Sequence, residues 1–174
     1  MASRLGLIFL LLCSWQAFAD ECGIVYGEGW AFVVPPVQGW SPACMDRAME
    51  GTAVSLWPSH QGARDSDAVM YVSVNMKAGR TLGEFQEEEL ASFREASPQS
   101  RVAVLPTNGE RAGLDGHMVH IANAPGAHDE FVAYLEGPGA FYVLVLSADT
   151  PELAEHYKPA YLQFLRGFSA MKRN

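Results

Sequence analysis

Between Glu130 and Ser147 the chain reads as two strands around a tight turn: EFVAYLE, then Gly137-Pro138-Gly139, then AFYVLVLS. The second strand is apolar on both faces. A strand of that kind belongs at the centre of a sheet that is covered on both sides, not at an edge or on a half-solvated surface. The rest of the chain must therefore supply flanking strands and two covering layers.

Flanking strands are legible. Ile24 to Tyr26 and Trp30 to Val34 are short apolar runs around Gly27 and Gly29, and Pro35-Pro36 stops the second. Gln38 to Pro42 reads as an irregular loop. Thr52 to Trp57 alternates and ends at Pro58, Ser59 to Asp67 reads as a polar exposed loop, and Val69 to Met76 (VMYVSVNM) is rich in β-formers. Its alternation places Tyr71 and Ser73 on one face, Val72 and Val74 on the other. Arg101 to Leu105, a turn at Asn108-Gly109, and Gly116 to Ala124 add two more strands.

Two helices complete the pattern. Thr81 followed three residues later by Glu84 is a capping box, and the helix it opens runs to about Ala96 before Pro98. Leu82, Phe85, Leu90 and Phe93 share one arc, while Glu84, Glu87, Glu88 and Glu95 lie opposite. The last helix begins at Asp149-Thr150-Pro151, a cap followed by proline at the first helical position. Its stripe of Leu153, Tyr157, Tyr161, Phe164, Leu165 and Phe168 requires a packing partner. Pro159 is expected to kink or split it near Lys158. Strands in runs joined by short turns, with the helices segregated, predict an α+β fold: a central antiparallel sheet flanked by helices.

The first nineteen residues stand apart. A basic start at Arg4, the apolar run Leu5 to Leu12 and the small-x-small pattern Ala17-Phe18-Ala19 form a secretory signal peptide, with cleavage expected after Ala19. The run is far short of the ~20 residues that span a bilayer, so no stable membrane anchor is expected. Leu10-Leu11-Leu12-Cys13 has the outline of a lipobox, but bulky Leu12 stands where lipoprotein processing wants a small residue. The expected domains are residues 1–19 as leader and 20–174 as a single globular domain, periplasmic or secreted.

Composition narrows the partners. The chain carries 12 basic and 20 acidic residues, a net charge of −8, and the leader takes Arg4 with it. Such acidity repels phosphate backbones and argues against nucleic acid and anionic lipid as partners. It suits a basic protein partner or plain solubility. The leader also removes Cys13 and leaves Cys22 and Cys44. In an oxidising compartment these read as a structural disulfide, because they lack the two-residue spacing and helix start of a reactive pair.

Specific residues resemble a known family. Trp30-Ala-Phe-Val-Val-Pro35 followed by Gly39-Trp40, and Phe141-Tyr-Val-Leu-Val-Leu-Ser147 before a closing helix that ends at Gly167-Phe168, resemble the Mog-one/PsbP-like fold family. That family includes the extrinsic photosystem P-subunit and bacterial periplasmic proteins of the DcrB type. The resemblance covers nearly the whole mature chain. It implies an antiparallel sheet with helices on its flanks and a binding, adaptor or chaperone-like role without a shared catalytic residue. Some relatives act as accessory factors for secreted effectors. The Cys22–Cys44 pair is not part of the motif.

Chemistry-bearing residues are few. His117 and His120 are three apart on a strand and so point to opposite faces, which argues against a shared metal ion. Ser59 and His60, with Asp65 or Asp67 as orienting carboxylate, could outline a small hydrolase, but adjacency in sequence is no triad and no Gly-x-Ser-x-Gly elbow exists. Glu87 and Glu88 offer a docking face for a basic partner, or simply a solvated helix face, and Glu89 projects near the apolar arc. Trp30, Trp40 and Trp57, at strand ends beside Pro35, Pro36 and Pro58, are either binding anchors or plugs at the end of the sheet. No cofactor or metal is expected. The expected function is a non-enzymatic binding or accessory protein that engages another envelope or secreted protein. The hydrolase, and an envelope structural protein without a specific ligand, stand as alternatives.

Overall fold

The computed structural model describes residues 22–44, 48–106, 117–126 and 128–171. The leader, the Asn108-Gly109 turn and the segment that leads into His117 lie outside the described residues. Elements in chain order are β1 (Ile24–Gly27), β2 (Trp30–Val33), β3 (Trp40–Cys44), β4 (Val54–Pro58), β5 (Ala68–Met76), α1 (Leu82–Ala96), β6 (Arg101–Val104), β7 (Met118–Ala124), β8 (His128–Glu136), β9 (Ala140–Ala148), α2 (Pro151–Gly167) and β10 (Ser169–Met171).

Seven strands form one antiparallel sheet in the order β3-β4-β5-β9-β8-β7-β6. β9, the doubly apolar strand, occupies the middle place with three strands on either side, and all nine of its residues are buried. Its two faces feed two separate cores. Tyr142, Leu144 and Leu146 point into one, with Leu56, Met70, Val72, Tyr161, Phe164 and Phe168. Phe141, Val143 and Val145 point into the other, with Leu82, Phe85, Leu90, Val119 and Val132. The first face is covered by α2 and by a small sheet of order β1-β2-β10, and the second by α1. This is an α+β fold.

Each helix starts as its residues dictate. The Thr81 hydroxyl accepts from the Glu84 amide while Glu84 takes the Thr81 amide, which completes the capping box. Phe85 anchors α1 by stacking on Phe141 at 5.0 Å and meeting Tyr134 edge-on at 6.1 Å. At α2 the Thr150 hydroxyl caps Leu153, with Pro151 in the first turn. The small sheet is clamped by Phe32, which meets Tyr142 and Phe168, and by the Tyr142 hydroxyl donating to the Ala31 carbonyl at 3.2 Å.

Two local expectations are overturned. Residues 40–42 belong to strand β3 rather than a loop, paired Trp40 to Pro58 and Cys44 to Val54. Pro42 is tolerated because β3 is an edge strand with no ladder to feed on its outer side. α2 runs unbroken through Pro159. The lost hydrogen bond and ring clash cost about 3 kcal/mol, but Ala154 before the proline and Tyr161, Phe164 and Leu165 after it are all buried on the same sheet face. Packing on both sides holds the two halves in line. Ser169–Met171, too short to show a period in the sequence, adds a strand that pairs with β2 as β10.

Cys22 and Cys44 form a disulfide with Cα atoms 5.9 Å apart, joining the entry to β1 with the end of edge strand β3. The bond therefore ties the small sheet to the large one.

Candidate functional site

The sheet register divides the three tryptophans. Trp40 opens β3 on the face covered by α2, is 8 % exposed, and meets Tyr157 edge-on at 5.2 Å. With Cys22, Pro35, Pro36, Pro42 and Leu56 it lines an apolar cleft of about 380 Å³. Trp30 is half-buried on β2, stacked on Phe32 at 5.8 Å. Trp57 lies opposite Ser41 in the β3–β4 register, one place along from the Trp40–Pro58 pair. It therefore projects from the other face of the sheet. The structure does not bring the set together.

Trp57 instead borders the part of the second face that α1 leaves open. α1 packs over the β8 side, above Val119, Val132, Tyr134 and Phe141. Toward β4 and β5 the same face carries Val69, Tyr71, Ser73 and Asn75, all half-buried. There the surface sinks into a cleft of about 740 Å³ lined by Trp57, Arg64, Tyr71, His128, Glu130 and Ser147, among others. Its floor is set by register. Val69, Ser147 and Glu130 stand side by side across β5, β9 and β8, and Tyr71 sits opposite Ser55 on β4.

Glu130 carries the chemistry of this cleft. Burial drives its carboxyl pKa up from the ordinary 4.5, and neighbouring Asp129 adds to the rise, while the Ser147 hydroxyl and His128 pull it down. Among the described residues it forms no ion pair with lysine or arginine. The Tyr71 phenol is also pushed up, first by burial and then by Glu130, so it stays a neutral hydrogen-bonding wall. His128 Nδ1 lies 3.3 Å from Asp149 Oδ1 without hydrogen-bond geometry. A half-buried carboxyl without a lysine or arginine partner among the described residues, in a concave surface that Tyr71 and Trp57 also line, is the arrangement that perturbed titration marks as a functional-site candidate.

The remaining sequence candidates lie elsewhere. Ser59 and His60 are both exposed; Ser59 Oγ takes its hydrogen bond from Ser41 at 2.9 Å, and His60 contacts Gln61. Asp65 is exposed, and Asp67 accepts from the Tyr157 hydroxyl at 3.2 Å. These residues do not converge, and no hydrolase triad forms from them. His117 and His120 point to opposite faces as their spacing required. His117 Nδ1 bonds Gln86 of α1 at 2.6 Å. His120 pairs through Nε2 with the buried Asp129 carboxylate and stacks on Phe131 at 4.8 Å. Among the described residues no group of three His, Cys, Asp or Glu converges as a metal site. Glu87, Glu88 and Glu89 are exposed on α1, with Glu88 paired to Arg80 at 2.7 Å, and none of them lines either cleft.

Glu130, Tyr71 and Ser147 were not singled out by sequence reasoning, although a signal existed. In EFVAYLE the alternation sets Glu130 on the same face as Val132 and Tyr134. In AFYVLVLS it sets Ser147 with Phe141, Val143 and Val145. A carboxyl and a hydroxyl thus share an otherwise apolar stripe, which is the mark of a buried polar pair.

Comparison with known proteins adds one likeness. No family model and no curated protein matches the chain. Among solved structures, it is similar to the solution structure of cyanobacterial PsbP (CyanoP) from Synechocystis sp. PCC 6803, at 14% identity over 93% of this chain and 99% of that chain, with a TM-score of 0.43. The likeness is one of fold. At that TM-score it carries no argument about family, activity or partners. No helix among the described residues is long and apolar enough to cross a membrane.

Proposed function

We propose that this chain is an exported, non-enzymatic binding module that engages another envelope or secreted protein through the open face of its seven-stranded sheet. One observation carries the reading: among the described residues α1 packs on the β8 side of that face, and toward β4 and β5 the face forms a cleft lined by Trp57 and Tyr71. A rigid tryptophan on a strand is a low-entropy anchor, and an anchor of this kind contributes about 2 kcal/mol or more when a partner desolvates it. The leader-like residues 1–19, the Cys22–Cys44 disulfide and the net charge of −8 support an exported protein with an acidic surface. The resemblance of the Trp30–Trp40 segment to DcrB-type periplasmic proteins agrees with that compartment.

Affinity capture from the exported fraction of the source cells, using the chain as exported, tests the proposal. The expected result is a single stoichiometric partner that is lost with Trp57→Ala and kept when Glu87 and Glu88 are reversed in charge. Trp40 is not a suitable probe, since its indole is buried against Tyr157 and its removal would unsettle the fold. Absence of a partner across several growth conditions, or equal capture by Trp57→Ala, would overturn it.

A further inference from the structure

We propose that the Trp57–Glu130 cleft is a receptor for a basic side chain, a lysine or arginine that the partner protein inserts between the Trp57 and Tyr71 rings toward the Glu130 carboxylate. The inference rests on the binding-module reading and names the chemistry its partner must present.

Three features of the cleft select a cation on an alkyl stem. The walls are aromatic, and ring faces hold both methylene chains and the positive charge at their end. The floor holds one carboxyl, Glu130, half-buried and without a lysine or arginine partner among the described residues. A carboxylate in that setting has lost water for only the Ser147 hydroxyl and the Coulombic pull of His128, and an inserted ammonium or guanidinium supplies a direct counter-charge. The Ser147 hydroxyl, directly across the β8–β9 register, hydrogen-bonds the Glu130 carboxyl and so helps to fix it for the incoming donor. The net charge of −8 favours the approach of a basic protein from a distance.

Arg64 sharpens the test. It is exposed on the turn before β5 and lines the same cleft. For a cationic guest it is a like charge at the mouth, so its removal should tighten binding. For a guest with a carboxylate it would be a ligand, and its removal should weaken binding. The two chemistries thus predict opposite signs.

The experiment is an NMR titration of the exported chain, labelled with nitrogen-15, with Nα-acetyl-lysine amide as probe and Nα-acetyl-norleucine amide as its uncharged counterpart. The Trp57 indole signal, assigned with Trp57→Phe, is the readout. We expect saturable shifts with the lysine probe at about millimolar dissociation constant, weakening of about tenfold or more for norleucine and for Glu130→Gln, and tightening for Arg64→Gln. Equal binding of norleucine, unchanged binding by Glu130→Gln, weakening by Arg64→Gln, or no shift at saturating probe would each overturn the inference. Putrescine binding more than about tenfold tighter than the lysine probe would overturn the assignment to a protein side chain in favour of a free amine. Should Glu130→Gln fail to fold, the norleucine and Arg64→Gln comparisons still decide. If the probes fail while capture through Trp57 succeeds, this inference alone falls. If the probes bind and capture fails, the cation chemistry stands and the protein partner is wrong.

Discussion

Removing the Cys22–Cys44 disulfide gives the most quantitative test of how this fold is held. The two residues are 22 apart in sequence, and the bond crosses from the entry of β1 to the end of β3. In the chain-entropy treatment a loop of that length removes about 11 cal/mol/K from the unfolded state, about 3 kcal/mol at 25 °C. The double variant Cys22→Ala, Cys44→Ala avoids a lone thiol and should lose that amount. For a chain of this size the loss corresponds to a drop in Tm of about 6 to 12 °C. Urea unfolding followed by tryptophan fluorescence measures both the loss and its origin. If the bond acts on the unfolded ensemble, the variant's denatured state expands and its m-value rises. The fold itself should persist, since β1 keeps its pairing with β2 and Phe32 keeps Tyr142 and Phe168. A loss under about 1 kcal/mol with an unchanged m-value would refute the reasoning.

Phe85→Ala should cost about 3–5 kcal/mol, because the ring is 1 % exposed and stacked on Phe141; a urea midpoint barely moved would mean that α1 is not docked through it. Gly139→Ala should destabilise by about 1–3 kcal/mol in thermal melts, since its new Cβ would lie 2.0 Å from the Gly29 carbonyl oxygen and force the β8–β9 and β1–β2 turns apart; an unchanged Tm would refute that approach. Glu130→Gln should stabilise the chain at pH 7. The folded-state pKa of Glu130 is raised, so its favourable contribution is complete below the ordinary 4.5 and is lost as pH rises through the folded value. Glutamine does not titrate, so the variant's advantage should shrink as pH falls from 7 through the raised folded-state pKa and be smallest below 4.5; denaturant midpoints at pH 7 and pH 4 that differ equally from wild type would contradict it.

Much of the architecture was already written in local patterns. The doubly apolar run Ala140 to Ser147 announced a central strand, and it is the middle strand of seven. Thr81 and Glu84 announced the start of α1, Thr150 and Pro151 that of α2, and both caps form as read. The spacing of Cys22 and Cys44 suggested a structural bridge, which is present. These signals are legible because period, capping and turn chemistry act over a few residues and need no knowledge of distant neighbours. Tertiary structure decided the rest. Pro42 is compatible with β3 only because that strand ends the sheet, and Pro159 fails to break α2 only because buried residues on both sides of it rest on one surface. The separation of Trp40 from Trp57 follows from strand register, and the cleft at Glu130 lies on the same face as α1 but toward β4 and β5, away from the residues that α1 packs on. Which face a strand residue occupies is a local property, but whether anything covers that face depends on where a distant helix packs.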